Sequence, residues 1–260
     1  MKDAWRQPLI ELVRQAGAAI LSYWRMDIEV ATKADATPVT AADMAAHRLL
    51  CDGLRALEPA IPVLSEEDCG IPLAERAAWQ RWWLVDPLDG TKEFIAGSEE
   101  FTVNVALVEH GRVLFGVVGV PVTGRCDVGG SPEPIRVRET SAETFTVLAS
   151  RRHSSPAQER LLTGLERHFA SLRLSAVGSS LKFCLLAEGK ADFYPRLAAT
   201  SQWDTAAAQG VLEGAGGELL DLHGVPLRYP PTEDFLNGPF LALPRAAAWR
   251  AEVLQLVREL

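Results

Sequence analysis

Trp83-Leu84-Val85-Asp86-Pro87-Leu88-Asp89-Gly90-Thr91-Lys92-Glu93-Phe94 sets an apolar run directly against two carboxylates and a turn. The apolar residues read as a buried strand that delivers Asp86 to its end. Pro87 fixes its own φ and keeps the residue before it out of the helical region, while Gly90 permits a tight turn. The turn therefore aims Asp86, Asp89 and the Leu88 carbonyl at a shared point, with the Thr91 hydroxyl beside it. Oxygen ligands on a rigid turn suit a hard cation such as Mg²⁺, which is held by few carboxylates together with substrate phosphate.

Upstream, Gln7 to Trp24 carries Leu9, Leu12, Val13, Ala16, Ile20 and Leu21 at helical spacing. Thr37-Pro38-Val39-Thr40-Ala41-Ala42-Asp43 reads as an extended segment turning into a second helix that runs to Leu57, with Thr40 as its cap and Asp43 in its first turn. Ile61-Pro62-Val63-Leu64 is a short strand that delivers Ser65-Glu66-Glu67-Asp68.

Downstream, Phe101 to Val108 and Val113 to Val120 form a hairpin closed at Glu109-His110-Gly111-Arg112. Pro121 to Pro134 is rich in Gly and Pro and reads as loop, and strand character returns at Ile135-Arg136-Val137 and Thr144 to Ala149. From Ser155-Pro156 the pattern becomes helix, strand, helix. Ser179 to Glu188 reads as helical with a stop at Gly189, and Trp203-Asp204 opens an alanine-rich helix. This predicts an α/β protein of two lobes: an α+β N-terminal lobe, residues 1–142, with most of the acids, and an α/β C-terminal lobe, residues 143–260, with Asp204. The active site is expected between them.

The 260 residues, 48% of them hydrophobic, fit a globular chain of one large or two closely packed domains. No run approaches the roughly 18 apolar residues of a membrane span, and the first residues lack an apolar signal core. A cytoplasmic enzyme is the expectation. Cys51, Cys69, Cys126 and Cys184 lie far apart, so neither a thiolate zinc site nor a disulfide framework is indicated. A net charge of −8 argues against nucleic acid as a partner. It does not exclude a phosphate substrate, because a bound divalent cation dominates the local field of its site.

Acids thus fall at strand ends or helix starts in four separated places: Asp43, Glu66-Glu67, Asp86 with Asp89, and Asp204. Taken singly, Asp43 and Asp204 are accounted for as acids favouring the positive ends of helices, and Glu66-Glu67-Asp68 as a solvated loop. Together they fit a two-metal phosphatase, in which cations roughly 3.5–4 Å apart activate water and stabilise the leaving oxygen. Several chain segments are needed, because one turn cannot surround two ions.

Glu66-Glu67, Asp86-Pro87-Leu88-Asp89-Gly90-Thr91 and Trp203-Asp204-Thr205-Ala206-Ala207 resemble the signatures of the inositol monophosphatase superfamily, whose members are lithium-sensitive and Mg²⁺-dependent and include fructose bisphosphatases. Lys33-Ala34-Asp35, Val63 to Asp68, Gly178-Ser179-Ser180-Leu181-Lys182-Phe183-Cys184, Pro226-Leu227 and Phe235-Leu236-Asn237 bring the chain nearest the CysQ-type 3′(2′),5′-bisphosphate nucleotidases of that superfamily. The resemblance implies a layered αβαβα sandwich and two or three Mg²⁺ ions. Glu66, Asp86 and the Leu88 carbonyl would surround one metal, and Asp86, Asp89 and Asp204 the second. Asp43 and Thr91 would position and deprotonate the attacking water, with Glu67 making a further metal or water contact. The Gly90 and Thr91 amides would bind the scissile phosphate.

The implied reaction is cleavage of adenosine 3′,5′-bisphosphate to AMP and phosphate, with 3′-phosphoadenylyl sulfate, a link to sulfur metabolism, as a second substrate. Gly178, Ser179, Lys182 and Arg196 are then candidates for the substrate's second anion, with Tyr194 near the base; Trp203 and Lys92 read as core and solvated face. The alternatives are an inositol-1-phosphate phosphatase, which shares the metal motifs, and a non-catalytic metal- or phosphate-binding module. Monomer and homodimer both stay open. One departure stands out: members of that branch carry an extra hairpin after the segment matching Val120-Pro121-Val122, and here it reads as trimmed.

Overall fold

The computed structural model describes residues 3–26, 29–33, 38–129, 144–149 and 155–260. Helix α1 (Asp3–Leu21) buries the stripe Leu9, Val13, Ala16 and Ile20. It starts and stops earlier than its periodicity predicts, and Trp24 leaves it to meet Phe101 edge-on. An antiparallel ribbon of β1 (Val30–Thr32) and β2 (Pro38–Thr40) leads into α2 (Ala41–Leu57). The Thr40 hydroxyl accepts from the Ala42 amide while the Asp43 carboxylate accepts from the Thr40 amide, which closes a capping box.

Five strands then form one sheet in the order β3 (Val63–Ser65), β4 (Arg81–Asp89), β5 (Thr102–Glu109), β6 (Arg112–Val120) and β7 (Arg125–Gly129). Only β3 runs parallel to its neighbour. Two short helices, α3 (Leu73–Arg76) and α4 (Thr91–Ile95), flank β4 in sequence. β7 corrects the sequence reading, which treats Pro121–Pro134 as loop. Pro121–Thr123 makes one tight helical turn, Gly124 takes φ 67, and the chain doubles back to pair with β6. Its few apolar residues hide it in the sequence, because an adjacent ladder and not its own pattern holds it. The strand expected at 135–137, and much of the segment on which the trimmed hairpin rests, lie outside the described residues.

The second half contributes β8 (Phe145–Ala149), α5 (Pro156–His168), β9 (Leu172–Ala176), α6 (Leu181–Ala187), β10 (Tyr194–Arg196), β11 (Thr200–Ser201), α7 (Ala206–Gly214), β12 (Gly217–Asp221), β13 (Leu236–Asn237), β14 (Phe240–Pro244) and α8 (Arg250–Arg258). β10, β14 and β12 form an antiparallel sheet, which the parallel pair β8–β9 joins through a bridge between Val147 and Phe193.

Alternation along β4 shows how these pieces stack. Trp83 and Val85 pack with Val103, Val105 and Leu107 against α1 and α2. Trp82 and Leu84 point the other way, with Ala106 and Val108, into a core shared by α6, α7 and the second sheet. A third core, under α5 and α8, covers the far face of that sheet through Phe145, Phe193, Leu241 and Val253. The layers therefore run helices, sheet, helices, sheet, helices.

One contact fixes where the central helix sits. A Cβ on Gly116 would strike the Ala207 carbonyl, and one on Gly129 would strike the Gly210 backbone. α7 consequently lies on bare strand backbone, and the turn at its start is carried over the end of β4.

Candidate active site

The end of β4 solves a geometric problem. Side chains three apart on a strand point to opposite faces, so Asp86 and Asp89 should not meet. The β5 partner of Asp86 is Asn104 and that of Asp89 is Thr102, so β4 holds one extra residue between them. The bulge returns both acids to the face of Thr102 and Asn104, the face that α7 covers. Pro87 fits there because it lacks the N–H that a regular ladder needs. The Leu88 amide donates to Asp86 Oδ1 at 3.0 Å, and Gly90 takes φ 92 before α4 begins.

Asp43 is 1% exposed and its two oxygens divide their work. Oδ2 accepts from the Thr40 amide and hydroxyl at 2.8 and 2.7 Å, whereas Oδ1 lies 3.1 Å from Thr91 Oγ1. The same hydroxyl also reaches the Leu88 carbonyl at 3.1 Å. With one proton to donate, Thr91 selects between these acceptors and keeps its lone pairs for a further donor.

Glu66 follows β3, its amide bonded to the Val85 carbonyl. Lys33 Nζ spans Glu66 Oε1 at 2.7 Å and Glu67 Oε1 at 2.6 Å. Burial works to lower the Lys33 pKa, but the two carboxylates outweigh it and hold the ammonium above its ordinary value. Asp204 ends the turn before α7, and its Oδ2 accepts from the Ser201 amide at 3.0 Å.

Asp89 has the richest support. Its Oδ2 accepts from the Ser180 amide at 2.5 Å, with Thr102 Oγ1 and Asn104 Nδ2 each at 3.4 Å. Ser180 Oγ in turn donates to Asn104 Oδ1 at 2.8 Å and lies 2.8 Å from Thr102 Oγ1. Burial, followed by repulsion from the neighbouring acids, raises the carboxyls of Asp86 and Asp204 well above their ordinary range. Burial also raises Asp89, against the pull of the Lys182 charge and the Ser180 amide.

Glu66, Asp86, Leu88, Asp89 and Asp204 line one cavity of about 740 Å³, and Trp203, Phe235 and Leu236 also line it. Past Asp89 and Asp204 a smaller recess of about 160 Å³ is lined by Gly178, Ser179, Lys182, Tyr194, Arg196 and Thr200.

The sequence model described as the inositol monophosphatase family matches residues 1–258. The chain belongs to that family. It is 46% identical over 243 residues to the 3′(2′),5′-bisphosphate nucleotidase CysQ of Escherichia coli K12, covering 88% of this chain and 96% of that one. CysQ of Bacteroides thetaiotaomicron superposes with a TM-score of 0.79 at 34% identity, over 94% of this chain and 98% of its own. An inositol monophosphatase of Thermotoga maritima superposes at 0.75 with 25% identity, over 96% and 95%. The αβαβα layering is the family's fold, and the family's enzymes are metal-dependent phosphatases.

The residues fit such a metal. Glu66, Asp86, Asp89 and Asp204 offer four carboxylates and Leu88 a carbonyl, all oxygen donors, and the mutual repulsion of the buried acids leaves them short of positive charge, which is the demand a hard divalent cation meets. Among the described residues no three acids yet close round a single point. Lys33 instead neutralises two of them.

The role expected of Lys182 and the helix expected from Ser179 need correction. Lys182 is neither solvated nor free for an anion: it is 6% exposed, and Nζ donates to the carbonyls of Val177 at 3.1 Å and Ser179 at 2.6 Å. Burial lowers its pKa to about 8, against the attraction of Asp89. The predicted helix from Ser179 begins only at Leu181, because Ser179 takes φ 49 in a left-handed turn that frees the Ser180 amide for Asp89. Trp203, read as core, is buried yet also lines the cavity, and Lys92 borders both spaces. Glu67 is committed to Lys33.

Sequence reasoning assigned no role to Lys33, Thr102, Asn104, Ser180 or Thr200. For Thr102 and Asn104 a signal existed: both are polar positions on one face of an otherwise apolar buried strand.

Proposed function

We propose that the protein is a Mg²⁺-dependent phosphomonoesterase that removes the 3′-phosphate of adenosine 3′,5′-bisphosphate to leave AMP, and that also accepts 3′-phosphoadenylyl sulfate. The observation that carries this reading is the pairing of two spaces at Asp89 and Asp204: an acid-walled cavity and a polar recess lined by the cationic side chains of Lys92, Lys182 and Arg196. In that recess Arg196 Nε and Thr200 Oγ1 are buried without hydrogen-bond partners, which suits a second anion on the substrate. A substrate with one phosphate would leave them unsatisfied.

Glu66, Asp86 and the Leu88 carbonyl are assigned to one cation, Asp86, Asp89 and Asp204 to a second, and Glu67 to a third or to its water. Bound there, the cations would neutralise the phosphate and lower the pKa of the attacking water. Asp43 orients the Thr91 hydroxyl, which accepts from that water, and the pair takes up its proton. The water oxygen bonds to phosphorus as the bond to ribose O3′ breaks, and O3′ leaves with the electron pair and acquires a proton from solvent. The Gly90 and Thr91 amides, at the left-handed start of α4, donate to the phosphate. In this reading two lobes, 1–142 and 143–260, contribute opposite sides of the site.

Phosphate release from adenosine 3′,5′-bisphosphate and from inositol 1-phosphate, each with and without Mg²⁺, tests the reading. Mg²⁺-dependent preference for the nucleotide is expected; metal-independent turnover or preference for inositol 1-phosphate overturns it.

A further inference from the structure

Phe235-Leu236-Asn237 holds a conformation that its residue types do not favour. Phe235 sits at φ 57, a left-handed angle that strains a bulky residue and persists only where the surroundings impose it. Here they do. The Phe235 carbonyl accepts from the Gln202 amide at 2.8 Å, and β13 pairs with β11. Asn237 Nδ2 donates to the Ser201 carbonyl at 3.0 Å and to Thr205 Oγ1 at 2.8 Å. All these partners belong to the turn that carries Asp204, so the segment is tied rigidly to an acid of the site.

What this bracing presents is apolar. The Phe235 ring lies 5.2 Å from Trp203, and the Arg76 guanidinium sits 4.2 Å over it, itself held by the carbonyls of Ile71 and Thr232. Leu236 is 48% exposed, unusual for a leucine at the wall of an acidic cavity. Trp203, Phe235 and Leu236 share the cavity lining with the carboxylates, and none of the three side chains offers a donor or acceptor except the Trp203 indole N–H. A polyol set against those side chains would lose the hydration of its hydroxyls without replacement. A planar heteroaromatic ring, apolar on its faces and polar only at its edge, carries no such penalty.

The recess beyond Asp89 is too polar and, at about 160 Å³, too small to take a nucleoside in addition to a phosphate. The 740 Å³ cavity has the room. We infer that the Phe235–Leu236 wall, with Trp203 beside it, is the specificity element that receives the substrate's nucleobase. This rests on the proposed nucleotidase reading and adds to it the residues that separate a nucleotide from a cyclitol phosphate.

The test compares kcat/KM for adenosine 3′,5′-bisphosphate with that for its abasic analogue, a tetrahydrofuran 3,5-bisphosphate. Wild type should prefer the nucleotide by tenfold or more, the order expected for a base held by apolar and aromatic contacts. Phe235→Gly removes the ring while easing the φ, and Leu236→Ser alters an exposed side chain; each should shrink the preference several-fold, whereas Phe235→Tyr should keep it. An equal loss on both substrates, an unchanged preference in both variants, or no preference in wild type overturns the inference. If wild type instead favours inositol 1-phosphate over adenosine 3′,5′-bisphosphate, the nucleotidase reading itself has failed.

Discussion

Two turns meet at Asp89, residues 86–91 and residues 178–182, and they work in opposite ways. The first presents side chains: Asp86 and Asp89 are brought to one face by a bulge, and Thr91 is set against Asp43. The second presents backbone: the Ser180 amide supports Asp89, while the Ser180 hydroxyl and the Lys182 ammonium turn inward to brace the turn. One turn provides the charge, and the other fixes where that charge points. Side-chain chemistry is visible in a sequence, whereas an amide donor is common to every residue but proline.

The contrast can be broken most forcefully at Asp89. Asp89→Asn should lower turnover by more than the roughly 10–100-fold that loss of an outer-shell partner costs, with circular dichroism unchanged. A variant within tenfold of wild type would remove Asp89 from the metal assignment. Ser180→Ala leaves the amide in place but cuts the links to Asn104 and Thr102. It should raise the Mg²⁺ concentration needed for half-maximal activity about tenfold while saturating Mg²⁺ recovers most of kcat. A fall in kcat that Mg²⁺ does not recover would mean that the second turn does more than orient Asp89.

Lys182 sharpens the comparison through pH. Its folded pKa of about 8 lies below the ordinary 10.5, so between these values the unfolded chain binds a proton that the folded chain has released. Unfolding free energy should therefore rise with pH across that window, and Lys182→Met should abolish the rise in denaturant titrations. Above pH 8 wild type also loses a cation beside the recess. Because the ammonium bonds carbonyls and acts on the substrate only through its charge, KM for adenosine 3′,5′-bisphosphate should climb by less than the roughly tenfold that a direct charged hydrogen bond is worth, while the variant starts at that higher value and stays flat.

The smallest effect is expected at Lys33. Lys33→Gln leaves Glu66 and Glu67 facing each other, and the metal-free protein should lose about 2–4 °C of Tm for each kcal/mol lost. Mg²⁺ should then raise Tm further in the variant than in wild type. An equal shift in both proteins would show that Lys33 does not compete for the charge the cation neutralises.

Much of the site was legible because its demand is for acids at ends of elements. Asp43, Glu66, Asp86, Asp89 and Asp204 each announce themselves beside a strand, a cap or a turn, and the structure gathers four of them on one cavity wall with Asp43 behind Thr91. Of the fold, the capped α2 and the apolar β4, β5 and β6 were equally clear. β7 was not, since its neighbour's ladder holds it. Lys182 misled because a lysine in a Gly-Ser-Ser run reads as a ligand for an anion, and only the packing of α6 shows the ammonium enclosed by carbonyls.

The sequence by itself determined the α/β character and the oxygen-rich chemistry, because those rest on periodicity, turns and the identity of side chains, and the resemblance of its motifs implied the family and its layered fold. Tertiary structure alone decided that Asp86 and Asp89 share a face, that α7 descends close enough on Gly116 and Gly129 to bring Asp204 to them, and that Phe235 lines the same cavity. Each of these depends on register and on close approach between segments far apart in the chain, and neither is written in a local pattern of residues.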